Sequence, residues 1–297
     1  MMRRVPHVYA GIVVIGGIMG WLAWRHDAAM PLRGIMTSAT HHPENGTIAD
    51  GRYTNGYFGL SYRLPPGWAA AEAGPEPSQS AYYVLSTLVP QGEPNATIMI
   101  AAQDMFFSGE GYAGVADQAR EFQRSLTTIA GMTIEPDVAE TKVGDHAFYR
   151  VAYNGVGLYR SMVVAEIRCH ALSFNVTARD PALLERLVRT LDSDLAFAPA
   201  AAGAASPPCA KDYAGGDRVL HQVAPLPVGP RFMPIPVRII VGADGGVKNV
   251  HVIRATDEQR RSIETALYQW KLKPYTVEGR ASAVETGLVF KFEGDNS

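Results

Sequence analysis

The chain has 297 residues, 47% of them hydrophobic, with 27 Lys and Arg against 29 Asp and Glu for a net charge of −2. That length allows two domains of ordinary size, and the apolar content excludes a chain that is disordered throughout. A pI near 6.4 without any run of Lys and Arg excludes an extended nucleic-acid footprint, because neutralising phosphates needs a basic face.

Val8 to Trp24 is apolar and uncharged, preceded by Arg3 and Arg4 and followed by Arg25 and Asp27. It is at the short end for a spanning helix, where about 20 residues are usual. The small residues that precede a signal-peptide cut are missing at both Trp21-Leu22-Ala23 and His26-Asp27-Ala28, which favours an uncleaved anchor over a removed peptide. Arg3 and Arg4 place the N-terminus in the cytoplasm, although Arg25 and Arg33 weaken the asymmetry. The expected location is a single pass through the inner membrane with the bulk of the chain in the periplasm.

Residues 28–50 then turn polar, with Pro31, Gly34, Pro43 and Gly46 and no apolar period, which reads as a linker. Residues 51–198 follow as a domain. Phe58, Leu60, Tyr62 and Leu64 alternate up to Pro65-Pro66-Gly67-Trp68, a strand ending in a turn. Further strands are predicted at Tyr82 to Val89, Ala96 to Ala102, Ala147 to Asn154, Leu158 to Ile167 and Ala171 to Thr177. Two helices interrupt them. One carries Val115, Ala119, Phe122, Leu126 and Ile129; the other opens at Asp180-Pro181 and buries Leu184, Leu187 and Leu191. Hairpins with helices beside them give an α+β fold, an αβα-type sandwich on an antiparallel sheet. A second linker, residues 199–216, is rich in Ala and Pro.

The last unit, residues 217–297, has the clearest pattern. Val237, Ile239 and Val241 alternate with Arg238 and Ile240, a strand with one buried face. Asp244-Gly245-Gly246 is a hairpin turn, and Val247 to Ile253 returns. Thr256 with Gln259 can form a capping box. Ile263, Ala266, Leu267 and Trp270 make a helical stripe that Pro274 is expected to stop. Val284, Thr286, Leu288, Phe290 and Phe292 form a last strand, completing an antiparallel sheet with one helix across it.

These landmarks, Val237 to Val241, Asp244-Gly245, Gln269 to Pro274 and Glu278-Gly279, resemble the C-terminal domain of TonB-like energy transducers over about residues 217–293. The family commonly has a Tyr-Pro pair before its first strand, whereas Arg231-Phe232-Met233-Pro234-Ile235-Pro236 stands here. The resemblance implies docking on a partner protein in the envelope, such as an outer-membrane receptor, by adding an edge strand, with Leu288, Val289 and Phe290 as the docking edge. The family's anchor also carries Ser and His residues that couple to a proton-driven motor. Val8 to Trp24 has neither, so the expectation is binding without the motor. The opening Tyr57 to Trp68 and closing Leu183 to Phe197 are similar to PsbP-like domains, which implies a scaffold that holds a partner.

No catalytic constellation is visible: G-x-S-x-G, H-E-x-x-H, Walker and dinucleotide patterns are all missing. Gly109-Glu110-Gly111 is too short to cradle phosphate. His41-His42 suggests a metal, but adjacent side chains diverge and no Cys or carboxylate stands at the usual ligand spacing, so a solvated pair is the reading. His146, His170, His221 and His251 read as surface or satisfied histidines, and Asp192 and Asp194 as an exposed helix end. The expectation is therefore no cofactor, no metal and no enzyme, leaving a partner-binding protein or a non-catalytic envelope scaffold. The two cysteines, Cys169 and Cys209, either pair in an oxidising periplasm, tying the second linker to the middle domain, or stay as free thiols.

Overall fold

The computed structural model describes residues 42–71, 74–92, 95–108, 114–198, 206–229 and 233–292. The anchor predicted at Val8 to Trp24, Gly109-Glu110-Gly111 and the Ala-rich start of the second linker lie outside the described residues. No helix among those described is long and apolar enough to cross a membrane.

The middle domain runs β1 (Gly46–Ala49), β2 (Arg52–Asn55), β3 (Leu60–Arg63), β4 (Trp68–Ala70), β5 (Tyr82–Pro90), β6 (Ala96–Asp104), α1 (Val115–Leu126), β7 (Thr133–Ile134), β8 (Ala139–Val143), β9 (His146–Gly155), β10 (Leu158–Ile167), β11 (His170–Ala178), α2 (Pro181–Asp194) and β12 (Leu195–Phe197). All pairings are antiparallel. The large sheet has the order β4-β5-β6-β11-β10-β9-β7, with β8 also on β9, and a small sheet has the order β1-β2-β3-β12. β1 corrects the linker expectation for residues 46–49, which pair with β2 in full register.

Period-two alternation gives the large sheet two apolar faces. Val163, Ala165, Leu172, Phe174 and Val176 pack with Leu184, Leu187 and Leu191 of α2. Val151, Val164 and Ala171 pack with Val115, Ala119 and Leu126 of α1. The α2 start follows the predicted chemistry: Asp180 Oδ1 accepts from the Ala182 amide at 2.8 Å, and Pro181 takes a position whose N–H would have no partner. Burying a side chain of the size of Phe174 contributes about 1.5–3 kcal/mol.

The C-terminal unit comprises β13 (Val219–His221), β14 (Ile235–Val241), β15 (Val247–Val252), α3 (Asp257–Leu267), β16 (Lys271–Leu272), β17 (Tyr275–Val277), β18 (Arg280–Ser282) and β19 (Val284–Phe290). β14 lies central in the order β15-β14-β19. The capping box forms in both directions, with Gln259 N donating to Thr256 Oγ1 at 3.3 Å and Thr256 N to Gln259 Oε1 at 3.1 Å. The helix end differs from expectation. α3 stops at Leu267, well before Pro274, because Lys271 and Leu272 pair with β13 and the Leu272 amide donates to Gly245 O at 2.8 Å. Trp270 is still buried, now beyond the helix, with Nε1 donating to Val223 O at 2.8 Å. Gly245, at φ +80°, makes this close approach possible, since a Cβ there would collide with Leu272 O.

A second difference locates the site. β14 was expected to bury one face, yet Arg238 is 2% exposed and Glu285 of β19 is 3% exposed. The second face of the C-terminal sheet lies against the middle domain. Ile253 joins the middle domain's core cluster, and Gly287 sits against Phe106 and Phe107, where an added Cβ would come within 2.7 Å of Phe106 Cβ.

Candidate functional site: the domain junction and the free edge of the C-terminal sheet

The junction is organised by a two-residue turn. Ile167 pairs with His170, so Arg168 and Cys169 form the β10–β11 hairpin turn with φ of +48° and +62°. Such turns favour Asn-Gly because both residues need positive φ; non-glycine residues held there cost on the order of 1–3 kcal/mol each. Arg168 turns back onto the middle domain, while Cys169 reaches outside it. The Arg168 guanidinium lies 3.9 Å over the Tyr57 ring and donates to Tyr57 O at 2.9 Å. Cys169 is disulfide-bonded to Cys209, with Cα atoms 5.8 Å apart. The bridge sets residues 208–210 beside β19, where Glu285 N donates to Pro208 O and Ala210 N to Glu285 O, each at 2.9 Å.

Four charges meet in this buried space. Arg238 Nη1 donates to Asp104 Oδ2 at 2.7 Å, and its Nη2 lies 3.0 Å from Glu285 Oε1. Arg168 Nη2 is 3.9 Å from Glu285 Oε2, and Tyr57 Oη donates to Glu285 Oε1 at 3.3 Å. Burial works against the Arg238 charge, but Asp104, Tyr57 and Glu285 raise its pKa and hold it ionised. Burial pushes the Asp104 carboxyl up, opposed by Arg238. Two cations and two carboxylates balance, which is the condition for keeping any of them out of water.

His170 is fully buried beside this cluster, and its Nδ1 donates to Arg168 O at 2.7 Å. Burial, then the Arg238 charge, drives its pKa well below 6.5, so the ring is neutral. His170 Nε2, His251 Nδ1 and Tyr83 Oη are buried without a hydrogen-bond partner among the described residues. His170 and His251 are thus neither surface residues nor fully satisfied, contrary to expectation; an unpaired buried polar atom costs about 1–3 kcal/mol. His221 is exposed, and His146 packs edge-on to Phe197 at 4.6 Å. Asp192 is exposed and Asp194 partly so, near the end of α2.

His251 also closes a three-residue cluster with His42 and Glu44. His251 Nε2 lies 3.2 Å and His42 Nδ1 3.8 Å from Glu44 Oε1, and the two rings meet edge-on at 4.5 Å. Burial raises the Glu44 pKa, but the hydrogen bond and charge of His251 outweigh it and leave the carboxyl below its ordinary range. The solvated-pair reading of His42 is thereby corrected: a partner 207 residues away from Glu44 completes a group that local spacing does not reveal.

The proposed docking residues fall on the outer half of β19. Leu288 and Phe290 pack partly into the α3-side core, while Val289 is 48% exposed. The Pro208–Ala210 segment covers the outer edge at Glu285; from Gly287 to Phe290 that edge pairs with no strand among the described residues. Exposed large apolar side chains also concentrate in this unit: Leu220, Leu226, Met233, Tyr268, Val277 and Val289, against Ile48, Ile129 and Val156 in the middle domain.

A cavity of about 160 Å³ lies under α2, lined mainly by apolar side chains including Val143, Phe148 and Leu191. Its polar lining is Thr141, Arg150 and Asp192, and Arg150 is engaged with Ser161 and Glu185.

No protein-family model matches the chain, and no curated protein matches it. Among solved structures, the cyanobacterial PsbP protein (CyanoP) from Synechocystis is similar at 13% identity, over 58% of this chain and 98% of its own, with a TM-score of 0.37. The C-terminal domain of TonB from Pseudomonas aeruginosa is similar at 19% identity, over 27% of this chain and 88% of its own, with a TM-score of 0.22. LpqN of Mycobacterium tuberculosis, a protein involved in cell envelope biogenesis, is similar at 16% identity over 47% of this chain and 83% of its own, with a TM-score of 0.32. Solved structures of both kinds suggested by the sequence thus appear among the similar chains. At these TM-scores they say nothing of what this chain binds.

Proposed function

We propose that the protein is a membrane-anchored periplasmic protein that binds a protein partner through its C-terminal sheet, without motor coupling and without catalysis. The observation that carries this reading is the outer edge of β19 from Gly287 to Phe290, which pairs with no strand among the described residues and exposes Val289. An open sheet edge is a template for one more strand, and strand addition draws affinity from backbone hydrogen bonds that need no particular side chains. The concentration of exposed apolar side chains in the C-terminal unit supports that unit as the binding one. The Cys169–Cys209 bridge fits an oxidising compartment.

A second reading, a closed envelope scaffold, is favoured by a different observation. The middle domain covers one face of the C-terminal sheet, and Pro208 to Ala210 covers part of the β19 edge. A photoreactive residue at Val289, in the anchored protein in its native envelope, separates the two. Capture of an outer-membrane receptor supports docking. Capture of only its own copies or inner-membrane neighbours sinks docking and leaves the scaffold.

A further inference from the structure

We propose that His42, Glu44 and His251 form a binding site for a divalent transition-metal ion of the Zn²⁺ class, which clamps the segment preceding β1 onto the C-terminal sheet. The three side chains each offer one ligand atom, and those atoms all lie within 4.8 Å of one another. A tetrahedral ion with bonds of about 2.0–2.1 Å sets its ligands roughly 3.3–3.4 Å apart. The Glu44 Oε1 to His251 Nε2 distance of 3.2 Å and the Glu44 Oε1 to His42 Nδ1 distance of 3.8 Å stand on either side of that figure. A hydrogen bond accounts for the first distance alone. A second imidazole, set edge-on to the first at 4.5 Å, turns its Nδ1 to the same carboxylate oxygen.

The donor set selects the ion. Two imidazoles and one carboxylate suit Zn²⁺, Co²⁺, Ni²⁺ or Cu²⁺ and do not suit Ca²⁺ or Mg²⁺, which take oxygen ligands. His251 is buried and held on β15, whereas the Glu44 side chain is 39% exposed, so the site has a rigid floor and an open side through which an ion and one water can enter.

The ligands come from two parts of the fold. His42 and Glu44 lie where the chain enters the middle domain from its N-terminal side, and His251 belongs to the C-terminal sheet. An ion bound here adds a third tie across the junction, beside the disulfide and the four buried charges. The site does not depend on strand docking at β19, and a failed capture at Val289 leaves it untouched.

The test uses the full chain with its disulfide intact, stripped by chelator and titrated with ZnCl₂ by calorimetry and with Co²⁺ by visible absorption. One equivalent is expected to bind, with the d–d bands of a four-coordinate Co²⁺ and a melting temperature that climbs with free Zn²⁺. Loss of an outer-shell partner already costs about 10–100-fold in metal affinity, so His42→Gln and Glu44→Gln, both on partly exposed side chains, are each expected to weaken binding more than about tenfold, with the Zn²⁺-dependent rise in melting temperature read against each variant's own metal-free melt. His251→Gln removes the buried ligand, and His221→Gln on exposed β13 is expected to leave binding intact. Failure to bind a stoichiometric ion overturns the proposal, as does binding that persists undiminished in both His42→Gln and Glu44→Gln.

Discussion

The same three strands present two different interfaces. Under α3, Val237, Ile239, Val241, Val250 and Val252 form a dry apolar layer. On the opposite face Arg238 and Glu285 meet Asp104, Arg168 and Tyr57 of the middle domain, and His251 stacks on Tyr83. Both faces are buried, yet they specify different things. An apolar layer tolerates exchange among side chains of similar volume. A charged layer tolerates only a complete set of partners, since each charge left alone out of water is costly. One face holds the C-terminal unit together, and the other fixes how it sits on its neighbour.

The strongest way to break this contrast is Arg238→Ala, which strands Asp104 and Glu285. It is expected to cost about 3–5 kcal/mol in chemical denaturation. The triple change Asp104→Leu, Arg238→Met, Glu285→Leu is expected to recover much of that loss, because the one charge of the four it leaves is Arg168, which keeps its place over the Tyr57 ring and its bond to Tyr57 O. If the triple variant is as unstable as the single one, packing alone governs the junction and the contrast fails.

The disulfide ties the same junction from the side of the chain entropy. Cys209→Ala opens a loop with a sequence separation of 40 residues and is expected to cost about 3–4 kcal/mol in the loop-closure model. Because the bridge also sets Pro208 to Ala210 against Glu285, hydrogen exchange at the Glu285 and Ala210 amides is expected to speed up in this variant more than at Val237 or Ile239 under α3.

Gly287→Ala tests close approach at the charged face. The added methyl meets Phe106 Cβ at 2.7 Å, and overpacking of this kind costs about 1–3 kcal/mol. The melt of the oxidised protein reads it.

The pH dependence is the finest probe. Burial and Arg238 hold His170 neutral far below its ordinary 6.5, while the unfolded chain takes up a proton there. Below that pH the unfolded state binds more protons, so stability is complete above it and falls as the pH drops, by up to about 1.4 kcal/mol per unit. His170→Gln is expected to remove that slope. Comparing it with the unmodified chain isolates His170 from Asp104, whose raised pKa acts in the opposite sense.

Much of the architecture was legible because local chemistry and tertiary fold agree at particular residues. Asp180-Pro181 caps α2, Thr256 and Gln259 close their box, and the alternation of Val237 to Val241 puts β14 in its sheet. The α3 end was not legible: the stripe runs on to Trp270, and only pairing of Lys271-Leu272 with β13 cuts it short. The junction was less legible still. Arg238, Glu285 and His251 occupy the polar positions of alternating strands, where solvent is the ordinary neighbour, and nothing local announces that a second domain lies there. The one available signal was conformational: Arg168-Cys169 takes the place that Asn-Gly fills in an ordinary tight hairpin, with both residues at positive φ.

The sequence by itself determined the main strands, the helix starts and the antiparallel character of each unit, because periodicity, caps and turn residues act over a few positions along the chain. Only the tertiary structure decided which polar side chains leave water. The meeting of Asp104 with Arg238, of Glu44 with His251 and of Cys169 with Cys209 spans 134, 207 and 40 positions respectively. Contacts at such separations follow from how two finished surfaces fit, and the residues that make them obey no local period.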